Sequence, residues 1–122
     1  MTPGKPLNET SPEKLLLEQL HRTQKITLKD SKAGVNIERM MLSLMEEVGE
    51  LAAAIKIKFG YKDAKLVEEP VVEAVDVIIC GLAMYVLCGG SIDYLGTNLC
   101  QKLNKWENFQ KKKERLKKDV IS

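Results

Sequence analysis

Residues 71–88 read VVEAVDVIICGLAMYVLC, and Glu73 and Asp76 are the only charged side chains in the stretch. Wound as an α-helix, it brings these two acids, spaced i, i+3, onto one face. Nearly every other side of that helix is apolar, which is the pattern of a buried helix. The wealth of β-branched residues leaves a strand as the alternative. In a strand Glu73 and Asp76 would point to opposite faces and any shared site would vanish. The flanks read as helix ends: Pro70 suits a first turn beginning near Glu69, and Gly89 and Gly90 follow a last turn near Leu87.

Ionised carboxylates in apolar surroundings are costly unless paired, protonated or metal-bound, and no Lys or Arg lies within a turn of Glu73 or Asp76 on the segment. A second pair with the same spacing, Glu47 and Glu50, occurs in MEEVGELAAAI at residues 45–55. Two such helices packed face to face make a cage of hard oxygen donors, suited to Mg²⁺, and Mg²⁺ sites are most often phosphate sites. Like-charge repulsion in the cage is relieved by a divalent cation. The plainer alternatives are a solvated acidic face for Glu46, Glu47 and Glu50, and a second pair that is protonated or reaches Lys102 or Lys105 on another helix.

The remaining signals are helical nearly throughout. Ser11 caps a first helix with Pro12 at its first position and Leu15, Leu16, Leu17 and Leu20 as its apolar face. The polar run KITLKDSKAG, closing at Gly34, reads as a loop between about Lys25 and Val35. Asn36 caps the second helix, whose expected stripe is Ile37, Met41, Leu44, Val48, Leu51 and Ile55, ending at Gly60. At 100° per residue Glu47 lies beside that stripe, Glu50 about 60° further round, and Glu46 nearly opposite it, about 40° from Glu50. Glu47 and Glu50 are therefore the better ligand pair, with Glu46 either an outer base or a solvated acid. Ala52, Ala53 and Ala54 keep the following turn small enough for close approach. Ser91 caps the fourth helix, striped by Ile92, Leu95, Leu99, Leu103, Trp106 and Phe109.

Four helices with short links and no clear strand alternation predict an all-α fold, a four-helix bundle. At 122 residues one domain is expected over 12–122, after a flexible segment 1–11. So apolar a third helix is expected to bury part of its surface against another subunit. The apolar fraction of 44% is ordinary for a soluble protein, and a net charge of +2 excludes a general polyanion binder. The first residues, MTPGKPLNETSP, contain no apolar core of a signal peptide, and the one long apolar run carries two acids, so no membrane association is expected. Cys80, Cys88 and Cys100 form no metal-binding pattern and read as small core residues of a reduced, cytoplasmic protein. The lone histidine, His21, rules out the ExxH pairs of di-iron bundles.

Glu46, Glu47, Val48, Gly49 and Glu50, with Glu73, Ala74, Val75 and Asp76 after a spacer, resemble the EExxE and ExxD motifs of the MazG-like all-α nucleoside triphosphate pyrophosphohydrolases. The likeness runs from about Ile37 to Trp106 and takes in GGSID at 89–93 and KLNKW at 102–106. It implies Mg²⁺-dependent hydrolysis of a nucleoside triphosphate to monophosphate and pyrophosphate, with Mn²⁺ as a substitute ion. It further implies that Glu47, Glu50, Glu73 and Asp76 hold the metal, that Glu46 holds or activates the attacking water, and that Lys102 and Lys105 face the phosphates. A homodimer or homotetramer and a role in clearing surplus or damaged nucleotides are also implied.

The chain departs from that pattern after the ExxD motif. Relatives often have an aromatic or amide residue there, whereas this chain has VIICGLAM at 77–84. The first helix and its loop supply only His21 as a stacking ring, so a broad or unusual base preference is expected. The related phosphoribosyl-ATP pyrophosphatases continue past ExxD with an aromatic and histidine pair, which VIICG lacks. The basic run QKKKERLKK at 110–118 reads as a solvated helix end, favoured there by the helix dipole. The alternative readings are a phosphoribosyl-ATP pyrophosphatase-like enzyme and a non-enzymatic helical bundle that binds nucleic acid through this basic end, although no interleaved aromatic residues support nucleic acid as a partner.

Overall fold

A computed structural model describes residues 11–121, and these form four α-helices and no strand. They are α1 (Pro12–Lys32), α2 (Ile37–Lys58), α3 (Pro70–Leu87) and α4 (Ile92–Ile121). The helical reading of 71–88 therefore holds and the strand alternative does not. Apart from Ser11, the expected flexible segment 1–11 lies outside the described residues.

The caps fall where the side chains predict them. Ser11 Oγ accepts a hydrogen bond from the Lys14 amide at 3.1 Å, and Asn36 Oδ1 accepts one from the Arg39 amide at 2.9 Å. Three helix ends carry glycine in the left-handed region, Gly34 at φ 103°, Gly60 at φ 81° and Gly89 at φ 99°. At each, paired amides of the turn donate back to the last carbonyls, Val35 to Asp30 at 3.0 Å, and Tyr61 to Lys56 and Gly90 to Tyr85 at 2.8 Å.

The expected loop over Lys25–Val35 is instead the continuation of α1 to Lys32, with the turn confined to Ala33 and Gly34. Polarity misled the reading there, because an exposed helix face is polar too. Thr27 in this run is buried and donates its hydroxyl to the Thr23 carbonyl one turn back at 2.8 Å. Leu20, Thr23, Gln24 and Thr27 form the covered side of α1, whereas Leu15, Leu16 and Leu17 remain exposed.

The helices group into two compact units, residues 1–90 and 91–122. In the first, α3 packs against both α2 and α1, which is why its sequence is apolar on more than one side. Among the described residues of this unit, Ala54, Ala83 and Val86 are the buried apolar ones. Much of the α3 surface stays open within the chain, with Val71, Val75 and Ile78 all exposed. Among the described residues α3 alone is long and apolar enough to cross a membrane, by length and composition.

The second unit is α4. Ile92 at its start is buried, while Leu99, Leu103, Trp106 and Phe109 of the expected stripe are exposed. The basic end is solvent-facing and includes an i, i+4 ion pair between Lys111 and Glu107 at 3.2 Å. The cysteines differ from expectation: Cys88 and Cys100 are exposed and only Cys80 is half-buried. Cys88 caps the C-terminus of α3 and Cys100 lies on the open α4, so neither position offers a core.

Candidate metal centre

The covered side of α2 is rotated from the expected stripe. Met40, Leu44, Glu47, Leu51, Ala54 and Ile57 are its less exposed residues, while Ile37, Met41, Val48 and Ile55 face solvent. Glu47 thus sits within the buried stripe rather than beside it. A helix so rotated presents a carboxylate to α3 in the place of an apolar side chain.

Across from it, Glu73 is buried at 7% exposure and Asp76 is half-buried, one turn further along α3. One carboxylate oxygen from each of Glu47, Glu73 and Asp76 lies within 4.8 Å of the others. Two oxygens, Glu47 Oε2 and Glu73 Oε2, are buried with no hydrogen-bond partner. Orphaned buried acceptors are rare because they forgo the hydrogen bonds water would give. Three hard oxygen donors with two such acceptors fit a divalent cation, so this cluster could hold a metal ion.

The electrostatics agree. Burial, then the charges of Glu50, Asp76 and Glu73, push the Glu47 carboxyl above its ordinary 4.5, and its carboxylate is within hydrogen-bonding reach of Glu50. Burial, then Glu68, Glu50 and Asp76, push Glu73 up in the same way. Burial, helped by Glu47 and Asp76, also raises the Cys80 thiol above its ordinary 9.0.

Of the residues singled out in the sequence, the fold brings Glu47, Glu73 and Asp76 into one group, with Glu50 beside them and exposed. Glu46 is exposed on α2. Lys102 and Lys105 are exposed on α4, where with Trp106, Phe109 and Lys112 they line a shallow pocket of about 470 Å³.

Two neighbours of the centre escaped the sequence reading. Cys80 stands at i+4 from Asp76 and i+7 from Glu73, a helical spacing that marks it as sharing their face. Glu68 precedes α3, so no helical periodicity points to it. Compared with protein families, characterised proteins and solved structures, the chain gives no match.

Proposed function

We propose that this chain is a Mg²⁺-dependent nucleoside triphosphate pyrophosphohydrolase, cleaving (d)NTPs to (d)NMPs and pyrophosphate. The observation that carries the reading is the meeting of Glu47, Glu73 and Asp76 from two helices with two buried, unpartnered oxygens. The resemblance of EExxE and ExxD to the MazG-like enzymes supplies the reaction.

In this reading Glu47, Glu50, Glu73 and Asp76 hold Mg²⁺, for which Mn²⁺ can substitute. When bound, the ion polarises the α-phosphoryl group and offsets charge on the departing pyrophosphate. Glu46, exposed one residue before Glu47, accepts a proton from the attacking water. The water oxygen bonds to the α-phosphorus as the bond to the bridging oxygen of the β-phosphate breaks, and pyrophosphate leaves with that electron pair. Lys102 and Lys105 neutralise phosphate oxygens beyond the metal.

The enzyme works in the cytoplasm as a homodimer or homotetramer. The exposed apolar residues of α2 and α3, Met45 and Ile78 among them, support a second copy as the partner that covers them. A role in nucleotide-pool house-cleaning follows from the resemblance.

The test is incubation of the purified protein with canonical and modified nucleoside triphosphates, with Mg²⁺ or with chelator, followed by separation of the products. Metal-dependent monophosphate and pyrophosphate, lost in Glu50→Gln and Asp76→Asn, are expected. Failure to turn over any triphosphate while Mg²⁺ still raises the melting temperature would sink the substrate assignment and leave the metal centre.

A further inference from the structure

The unit formed by α4 sorts its residues around the helix axis. At 100° per residue, Leu99, Leu103, Phe109, Leu116 and Val120 all fall within about 80° of Trp106. Every one of the six is exposed, Trp106 at 62% and Phe109 at 64%. A continuous apolar face left open in this way marks a contact surface. From Lys102 to Lys118 the same helix carries eight Lys and Arg against two Glu, while the whole chain nets only +2. The positive charge of the protein is therefore concentrated on α4, and the rest of the chain is net acidic. Lys102, Lys105 and Lys112 stand with the two rings around the shallow pocket of this helix.

We propose that α4 is a membrane-surface helix, which lies on an anionic lipid layer with its rings and aliphatic side chains at the acyl boundary and its lysines on the headgroups. Lys102, Lys113 and Lys117 decide the choice of partner. On the helical wheel they fall inside the apolar face, about 20–40° from Trp106. Packed against an apolar helix, or against α4 of a second copy, they would be buried without a counter-charge. At a lipid surface their stems lie along the acyl layer while the ammonium groups reach anionic headgroups. Nucleic acid would satisfy the lysines but leave Leu99, Leu103, Leu116 and Val120 in water, because bases stack on rings. A surface that is anionic outside and apolar beneath answers both demands. Among the described residues only α3 has the length and composition to span a membrane, so α4 lies on the layer and does not cross it.

Trp106 is the only tryptophan, so its fluorescence reports on this face alone. The test adds vesicles of phosphatidylcholine, with or without phosphatidylserine, to the full chain and follows Trp106 emission and co-sedimentation. A blue shift and sedimentation are expected with phosphatidylserine only, both falling as salt is raised. Phe109→Glu, and the pair Lys112→Glu with Lys113→Glu, should each weaken binding by about tenfold or more. Lys14→Glu with Lys25→Glu, which changes the net charge equally on the exposed side of α1, should match the wild type. Circular dichroism establishes that each variant is folded. No response to phosphatidylserine, an equal response to phosphatidylcholine alone, or α4 variants that bind like the wild type would overturn the proposal. Trp106 emission that ignores vesicles but shifts with protein concentration would give the face to a second copy instead, and emission that answers only to oligothymidine would give it to nucleic acid.

Discussion

Glu47 on α2 and Glu73 on α3 approach to within 4.8 Å through carboxylate oxygens, yet each keeps a buried oxygen with no hydrogen-bond partner. Two carboxylates held so close without a cation oppose the packing of the helices that carry them. Removing one charge should therefore help the metal-free fold. Glu73→Gln is expected to raise the melting temperature in chelator and to abolish the rise that Mg²⁺ causes in the wild type. Thermal scans with and without Mg²⁺ check both halves.

The same pair gives the metal-free protein a pH dependence. Folding lifts the carboxyls of Glu47 and Glu73 above their ordinary 4.5, so above that value the folded chain binds more protons than the unfolded one. Stability contributed by these groups is then greatest near or below pH 4.5 and is lost as the pH rises through their folded values. Urea denaturation in chelator should show this fall, and Glu73→Gln should flatten it. Saturating Mg²⁺ should reverse it, because only the ionised carboxylates bind metal.

Gly90 faces a different constraint. A Cβ built there would stand 2.5 Å from the ring of Tyr85, which occupies the space beside the end of α3. Gly90→Ala is expected to cost about 1–3 kcal/mol by overpacking, read by chemical denaturation. In a Tyr85→Ala background the same substitution should cost much less.

The cysteines should separate by reactivity. Burial and the charges of Glu47 and Asp76 keep Cys80 a thiol at neutral pH, whereas Cys88 and Cys100 are exposed. Alkylation followed by mass spectrometry should label Cys88 and Cys100 quickly and Cys80 slowly.

Self-association through the open apolar faces predicts that Met45→Glu or Ile78→Glu lowers the molar mass in light scattering. Each substitution places a charge where a second copy would bury the side chain. An unchanged mass for both variants would exclude these faces as the contact.

The helices were legible because their ends are chemically marked: Ser11, Asn36, Pro70, Gly60 and Gly89 each occupy the cap or turn their chemistry suits. Glu73 and Asp76 were legible as a pair because i, i+3 spacing is a local property, whereas of the α2 pair only Glu47 enters their group and Glu50 stays exposed beside it. The rotation of α2 was not, since Leu44 and Leu51 belong equally to a stripe completed by Ile37, Met41, Val48 and Ile55 and to one completed by Met40, Ala54 and Ile57. Which one turns inward depends on α3, not on α2. Polar helix was mistaken for loop after Lys25 because only tertiary cover distinguishes them, and Thr27 supplies it. Glu68 comes near Glu73 through the path of the chain between helices, which no periodicity encodes.

That the donors are divided between α2 and α3 has a consequence for cohesion. Neither helix can assemble the centre by folding alone; the hairpin formed by α2, residues 59–69 and α3 must close first. On the proposed reading, an ion that prefers the closed arrangement would work as a removable staple, resisting the opening of that hairpin as a crosslink would. How tightly this part of the chain holds together would then be a function of the ion's concentration.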